Sequence, residues 1–142
     1  MNHIHIITLG VKDINRSLKF YRALGFQTSV QEENPGIVFF QNGGTTLALY
    51  PREKLAEDIS ETNPPQGEGF GGITLAHNVR EQNEVDKIMA LAEKAGAKIV
   101  KKPQRVFWGG YSGYFADPDG YYWEVAHGEN WQFNEDGSLV IE

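Results

Sequence analysis

Residues 115–125 read F-A-D-P-D-G-Y-Y-W-E-V. The four residues from Asp117 to Gly120 form a turn: proline presets φ, glycine accepts a positive φ, and an aspartate takes up nearby amides. The flanking segments, residues 111–115 and 121–126, are rich in aromatic residues and read as the two strands of a hairpin. A single carboxylate, Glu124, stands in the second strand between a tryptophan and a valine. A glutamate there has five readings: metal ligand, general base, partner for a cationic or hydrogen-bond-donating ligand, acceptor for a neighbouring tyrosine or backbone amide, or a side chain that merely faces solvent. Asp117 and Asp119 belong to the turn and not to an acid pair.

Upstream of this hairpin the chain repeats itself. Residues 73–75 read I-T-L. A helix follows from about Glu81, with Val85, Ile88, Met89, Ala92 and Ala95 on one stripe, and stops at Gly96 before a strand over residues 98–101. Residues 7–9 also read I-T-L. There the helix starts at Asp13, a good N-cap, carries Ile14, Leu18, Tyr21 and Leu24 on one stripe, and stops at Gly25. Strands are expected over residues 27–31, 37–40 and 45–49, with turn signals at 34–36 and 42–44. Each half is thus strand–helix–strand–strand–strand, and the fold class is α+β within a single domain. The first module covers about residues 1–50, a linker 51–71, the second module about 72–127 and a C-terminal tail 128–142. The linker holds a helical turn over Arg52–Ile59 and then a Pro/Gly-rich run. The tail is polar apart from Trp131, Phe133 and residues 139–141. Alternation puts Ile7 and Leu9 on one face of their strand, and Ile73 and Leu75 on one face of theirs, as helix-covered faces require.

Composition removes whole classes of function. With 19 acidic against 13 basic residues the net charge is −6, which argues against nucleic acid or an anionic membrane surface as partner. The absence of cysteine excludes disulfides, thiolate nucleophiles and thiolate zinc sites. No apolar run approaches the roughly 20 residues of a membrane span, and the first residues read as a strand and not as a signal peptide. The expected compartment is the cytoplasm. Ser112 lies in G-Y-S-G, which is not a nucleophile elbow, and the glycines of residues 67–72 precede a strand, so they form no phosphate loop.

Tandem βαβββ halves, V-K-D-I-N-R-S-L-K-F-Y-R-A-L-G-F at 11–26 and F-A-D-P-D-G-Y-Y-W-E-V at 115–125 together resemble the vicinal-oxygen-chelate superfamily, which contains glyoxalases, bleomycin-resistance proteins and extradiol dioxygenases. The resemblance covers about residues 4–127. It implies curled, mixed half-barrel sheets around a cavity, with helices on the convex side. It also implies a divalent metal held by side chains from the first and last strand of each module. Glu124 matches the final-strand ligand. The other positions fall at Ile6, near Ala48, and at Gly72, or at Thr74 if the register shifts. One carboxylate cannot hold such a metal, which needs about three protein ligands. The histidines do not substitute. His5, His77 and His127 have the wrong strand parity, and His3 lies at a chain end. No metal and no cofactor is therefore expected.

The cavity is expected to be lined by Glu124, Tyr122, Trp108, Tyr111, Ile6, Thr8, Ala48, Gly72 and Thr74. Tyr122 shares the strand face of Glu124. Trp108-Gly109-Gly110-Tyr111 sets two glycines between two large rings, a loop that a flat ligand can approach closely. The reading that follows is a metal-free, small-molecule-binding protein of the bleomycin-resistance type, sequestering a cationic or aromatic compound with aromatic walls and an orienting carboxylate. The alternatives are a metal-dependent lyase, epimerase or dioxygenase with relocated ligands, and an interaction module with a filled cavity. A homodimer is expected, because half-barrels leave strand edges that need cover.

Overall fold

The computed structural model describes residues 1–67 and 69–141; Glu68 of the expected linker and Glu142 of the expected tail lie outside them. The chain divides into two compact units, residues 1–71 and 72–142. No helix among the described residues is long and apolar enough to cross a membrane.

The first unit runs β1 (Ile6–Val11), α1 (Ile14–Ala23), β2 (Val38–Phe40), β3 (Thr46–Pro51) and α2 (Arg52–Ile59). Its sheet has the order β1-β3-β2, with β1 parallel and β2 antiparallel to β3. Asp13 caps α1 by accepting the Arg16 amide at 3.0 Å. Gly25 ends the helix in the left-handed region at φ 104°, and the amides of Gly25 and Phe26 turn back to the carbonyls of Arg22 and Tyr21. Leu18 and Tyr21 are buried along the expected stripe, as are Ser17 and Phe20 beside it. Leu9, Val11, Val38, Phe40, Leu47 and Leu49 complete this core.

Residues 27–31 form no strand. Their composition favours extended backbone, but the neighbouring β2 is only three residues long, and one backbone bond joins the segment to it, from the Gln41 amide to the Gln27 carbonyl. The Val30 carbonyl is taken by the Arg22 guanidinium instead. A β-type sequence without a ladder partner stays irregular. The expected helical turn over Arg52–Ile59 is a helix of that extent, packed back on β1 and β3.

The second unit keeps the full expected pattern: β4 (Thr74–Asn78), α3 (Gln82–Ala95), β5 (Lys98–Arg105), β6 (Tyr111–Ala116) and β7 (Tyr122–His127), with sheet order β4-β7-β6-β5. Glu81 and Glu84 close a capping box at the start of α3, and Gly96 ends it at φ 114°. Val85, Met89 and Ala92 are buried where α3 packs on β5, β6 and β7. Phe115, Trp123 and Val125 supply the sheet's share of that core. Ile73, expected beside Leu75, lies just ahead of β4 and is exposed. The turn after β6 is as read: the Asp117 carboxylate accepts the amides of Asp119 and Tyr121, both at 2.9 Å. The Asp117 amide also donates to the Tyr121 carbonyl. In the tail, Phe133 bridges Leu139 and packs under the Arg80 guanidinium at 4.7 Å.

Candidate functional site

The two faces of the second sheet have different uses. Register pairs Tyr114 with Glu124, Ser112 with Ala126 and Ala116 with Tyr122, while β4 sets Ala76 beside Glu124 and Thr74 beside Tyr122. These residues share the face turned away from α3. The opposite face carries Phe115, Trp123 and Val125 against the helix. It also carries Tyr111, whose hydroxyl donates to Asp86 of α3 at 2.7 Å, and His77, which feels the charge of Glu84.

Glu124 is half-buried on the open face, and the hydroxyl of Tyr114 on the adjacent strand donates to it. Burial first, then the charge of Glu124 and the hydrogen bond itself, push the Tyr114 phenol above its ordinary value. The phenol therefore stays a neutral donor and the carboxylate an acceptor. A carboxylate offers about four lone-pair sites; one hydrogen bond from Tyr114 leaves it able to accept more.

A groove of about 340 Å³ opens over this pair, lined by Lys101, Gln104, Arg105, Val106, Phe107, Trp108, Ser112, Tyr114 and Glu124. Its β5 wall is irregular. The pairing of β5 with β6 shifts between Ile99 and Lys101 and again between Lys101 and Gln104, around Pro103, which sets Lys101 opposite Tyr114 and Gln104 opposite Ser112. Among the described residues neither Lys101 nor Gln104 has a side-chain hydrogen bond or ion pair. A roomier hollow in the first unit, about 410 Å³ between α1 and residues 31–33, holds none of the sheet-face residues.

Trp108 forms one wall. Its ring stacks on Trp131 of the tail, with centroids 5.5 Å apart and planes at 15°, and still leaves Trp108 43% exposed. Gly110 serves this ring: a Cβ there would lie 1.8 Å from Trp108 Cζ3. The surface expected to admit a flat ligand is thus occupied by the protein's own indole. Gly110→Ala is expected to displace Trp108, lower stability by about 1–3 kcal/mol and collapse the near-UV circular dichroism of the indole pair. An unchanged near-UV spectrum would count against this packing.

Of the residues expected to line one cavity, Glu124 and Trp108 lie in the groove, and Tyr122 and Thr74 share the sheet face of Glu124. Tyr111 is on the helix side, since alternation from Tyr114 turns it away. Gly72 precedes β4 with φ 80° and offers no side chain. Ile6, Thr8 and Ala48 share a face of the first unit's sheet, Ile6 opposite Thr46 and Thr8 opposite Ala48; Ile6 is exposed and Ala48 fully buried. Sequence reasoning missed Tyr114, Ser112, Lys101 and Gln104. Tyr114 was within reach, because counting outward from the paired Asp117 and Tyr121 places it opposite Glu124.

The same registers test the fit of a metal. Thr74 pairs with Tyr122, two residues before Glu124, as Ile6 pairs with Thr46, two residues before Ala48. Thr74, and not Gly72, is therefore the second module's counterpart of Ile6. The first unit offers two hydrocarbons, and the second a hydroxyl and a carboxylate already bonded to Tyr114. His127 turns to the Val79 carbonyl, 3.3 Å from Nδ1, and no three His, Cys, Asp or Glu among the described residues cluster as a metal site. These residues do not fit a divalent metal.

Residues 3–125 match the model of the Glyoxalase/Bleomycin resistance protein/Dioxygenase superfamily. The chain is 34% identical to a glyoxalase-related enzyme from Fulvimarina pelagi, whose crystal structure superposes with a TM-score of 0.88 over 99% of both chains. It is 33% identical over 116 residues to the uncharacterized protein YraH of Bacillus subtilis, covering 80% of this chain and 88% of that one. A lactoylglutathione lyase from Agrobacterium tumefaciens is 25% identical, with a TM-score of 0.66 over 94% of this chain and 98% of that one.

Proposed function

The chain belongs to the Glyoxalase/Bleomycin resistance protein/Dioxygenase superfamily, and from that premise we propose that it is a small-molecule-binding protein that works without a metal. The observation that carries this reading is the Tyr114–Glu124 pair on the floor of a groove walled by Trp108. A fixed acceptor beside an aromatic wall orients a ligand that supplies a donor and a flat apolar surface. The role that suits this arrangement is sequestration of an aromatic compound, in the manner of the family's resistance proteins, in the cytoplasm. A thermal-shift screen of diverse small molecules tests it, because a ligand raises Tm only by binding the folded state. At least one aromatic compound is expected to raise Tm, with the shift reduced in Glu124→Gln. A screen with no hit, or shifts indifferent to that substitution, would refute the site.

Two further expectations belong to this reading. Expressed in medium supplemented with zinc, nickel, iron and manganese, the protein is expected to carry no stoichiometric metal, because Ile6, Ala48 and Thr74 stand at the ligand positions. Elemental analysis showing one equivalent that disappears in Glu124→Ala would reverse it. The protein is also expected to sediment as a homodimer at tens of micromolar, since open sheet edges need covering; a monomer there would defeat the idea.

A further inference from the structure

We infer that the groove of the second unit selects an aromatic ligand carrying an anionic group as well as a hydrogen-bond donor, the anion received by Lys101 and the donor by Glu124. This rests on the binding function proposed above and narrows it to a ligand class. The chain as a whole carries a charge of −6, yet the groove sets a cation, Lys101, on the same sheet face as Glu124. A purely cationic ligand would gain from Glu124 and be opposed by Lys101, and a purely anionic one would meet the reverse. A ligand with charges of both signs meets complementary groups on two walls.

The placement of these groups supports the division of labour. Glu124 lies on β7 with Tyr114 fixed to it from β6, so the acceptor is oriented by the sheet itself. Lys101 lies across β6 on the bulged part of β5, opposite Tyr114 on the other side. An anion at Lys101 and a donor at Glu124 are therefore separated by about the width of one strand on each side of Tyr114, roughly 4.8 Å per strand spacing. That span suits the two polar ends of a compact molecule. The volume of about 340 Å³ lies at the small end of ligand sites, which limits the aromatic part to one ring or two fused rings. Trp108, 43% exposed, gives that ring an apolar wall to lie against.

Four indole compounds separate the contributions: tryptophan carries both charges, indole-3-acetate the anion, tryptamine the cation and indole neither. Binding to the full chain is read by saturation-transfer NMR and by calorimetry. Tryptophan is expected to bind about tenfold more tightly than either indole-3-acetate or tryptamine, the order of one charge-assisted contact. In Lys101→Gln the advantage of tryptophan over tryptamine should fall by about tenfold. Tryptamine or indole-3-acetate binding as tightly as tryptophan, or an advantage over tryptamine that survives Lys101→Gln, overturns the inference and leaves the binding function standing. No binding by any of the four at millimolar concentration also overturns it; the binding function falls only if the broader thermal-shift screen is empty as well.

Discussion

Phe40→Ala is expected to destabilise the protein by about 3–5 kcal/mol, the usual cost of removing a buried phenylalanine. Phe40 is 1% exposed and closes an aromatic cluster, with ring centroids 5.7 Å from Tyr21 and 5.4 Å from Phe26. It is also one of only three residues in β2, the strand that closes one edge of the first sheet. Tyr21 lies on α1 and Phe26 follows its glycine cap, so one ring ties a helix, its terminus and an edge strand together. A cavity at that junction has little slack in which to collapse. Denaturant unfolding followed by far-UV circular dichroism checks the effect as a fall in midpoint at constant slope. A loss below about 1 kcal/mol, typical of surface changes, would show that the cluster is not the core described here.

Much of this fold is legible in the chain because its punctuation is strong. Asp13 and Glu81 begin helices, Gly25 and Gly96 end them, and D-P-D-G sets a hairpin, each through a local backbone requirement that tertiary packing does not override. Strand parity is equally robust: His77 and His127 sit on the face opposite Glu124 because alternation in β4 and β7 is unbroken. The failures fall where pairing is irregular. Residues 27–31 look like a strand but find no partner long enough to hold them. Lys101 and Gln104 reach the groove through register shifts around Pro103, and a period of two cannot predict the side of a bulged strand. The Trp108 loop is hard to read for a different reason. Its glycine leaves room for an indole held by Trp131, 23 positions away in the sequence, a pairing that no local pattern announces.

The second large effect concerns ligand binding. Glu124→Gln is expected to weaken binding by about 1.5–3 kcal/mol, the worth of a hydrogen bond to a charged group, or roughly 10- to 150-fold in Kd. Stability should change little, because an amide oxygen still accepts the Tyr114 hydroxyl and glutamine has nearly the shape of glutamate. Tyr114→Phe makes the complementary change. It keeps the carboxylate but removes the donor that orients it, so binding should weaken by about 0.5–1.5 kcal/mol, the net value of one ordinary hydrogen bond. A carboxylate kept only to satisfy Tyr114 would give a different pattern, with stability lost in Tyr114→Phe and affinity unchanged in both variants.

In the proposed function Glu124 is a ligand anchor in a groove that does not bind metal. Calorimetric titration of the strongest stabilising compound from the screen tests it most directly. The titration is run on the wild-type chain and on Glu124→Gln, each with and without a chelator, alongside the unfolding midpoints of both proteins. Tight binding that the chelator does not alter is expected, with a 10- to 150-fold loss in the variant and nearly equal midpoints. Binding abolished by the chelator, or full affinity in a Glu124→Gln protein of clearly lowered midpoint, would contradict it.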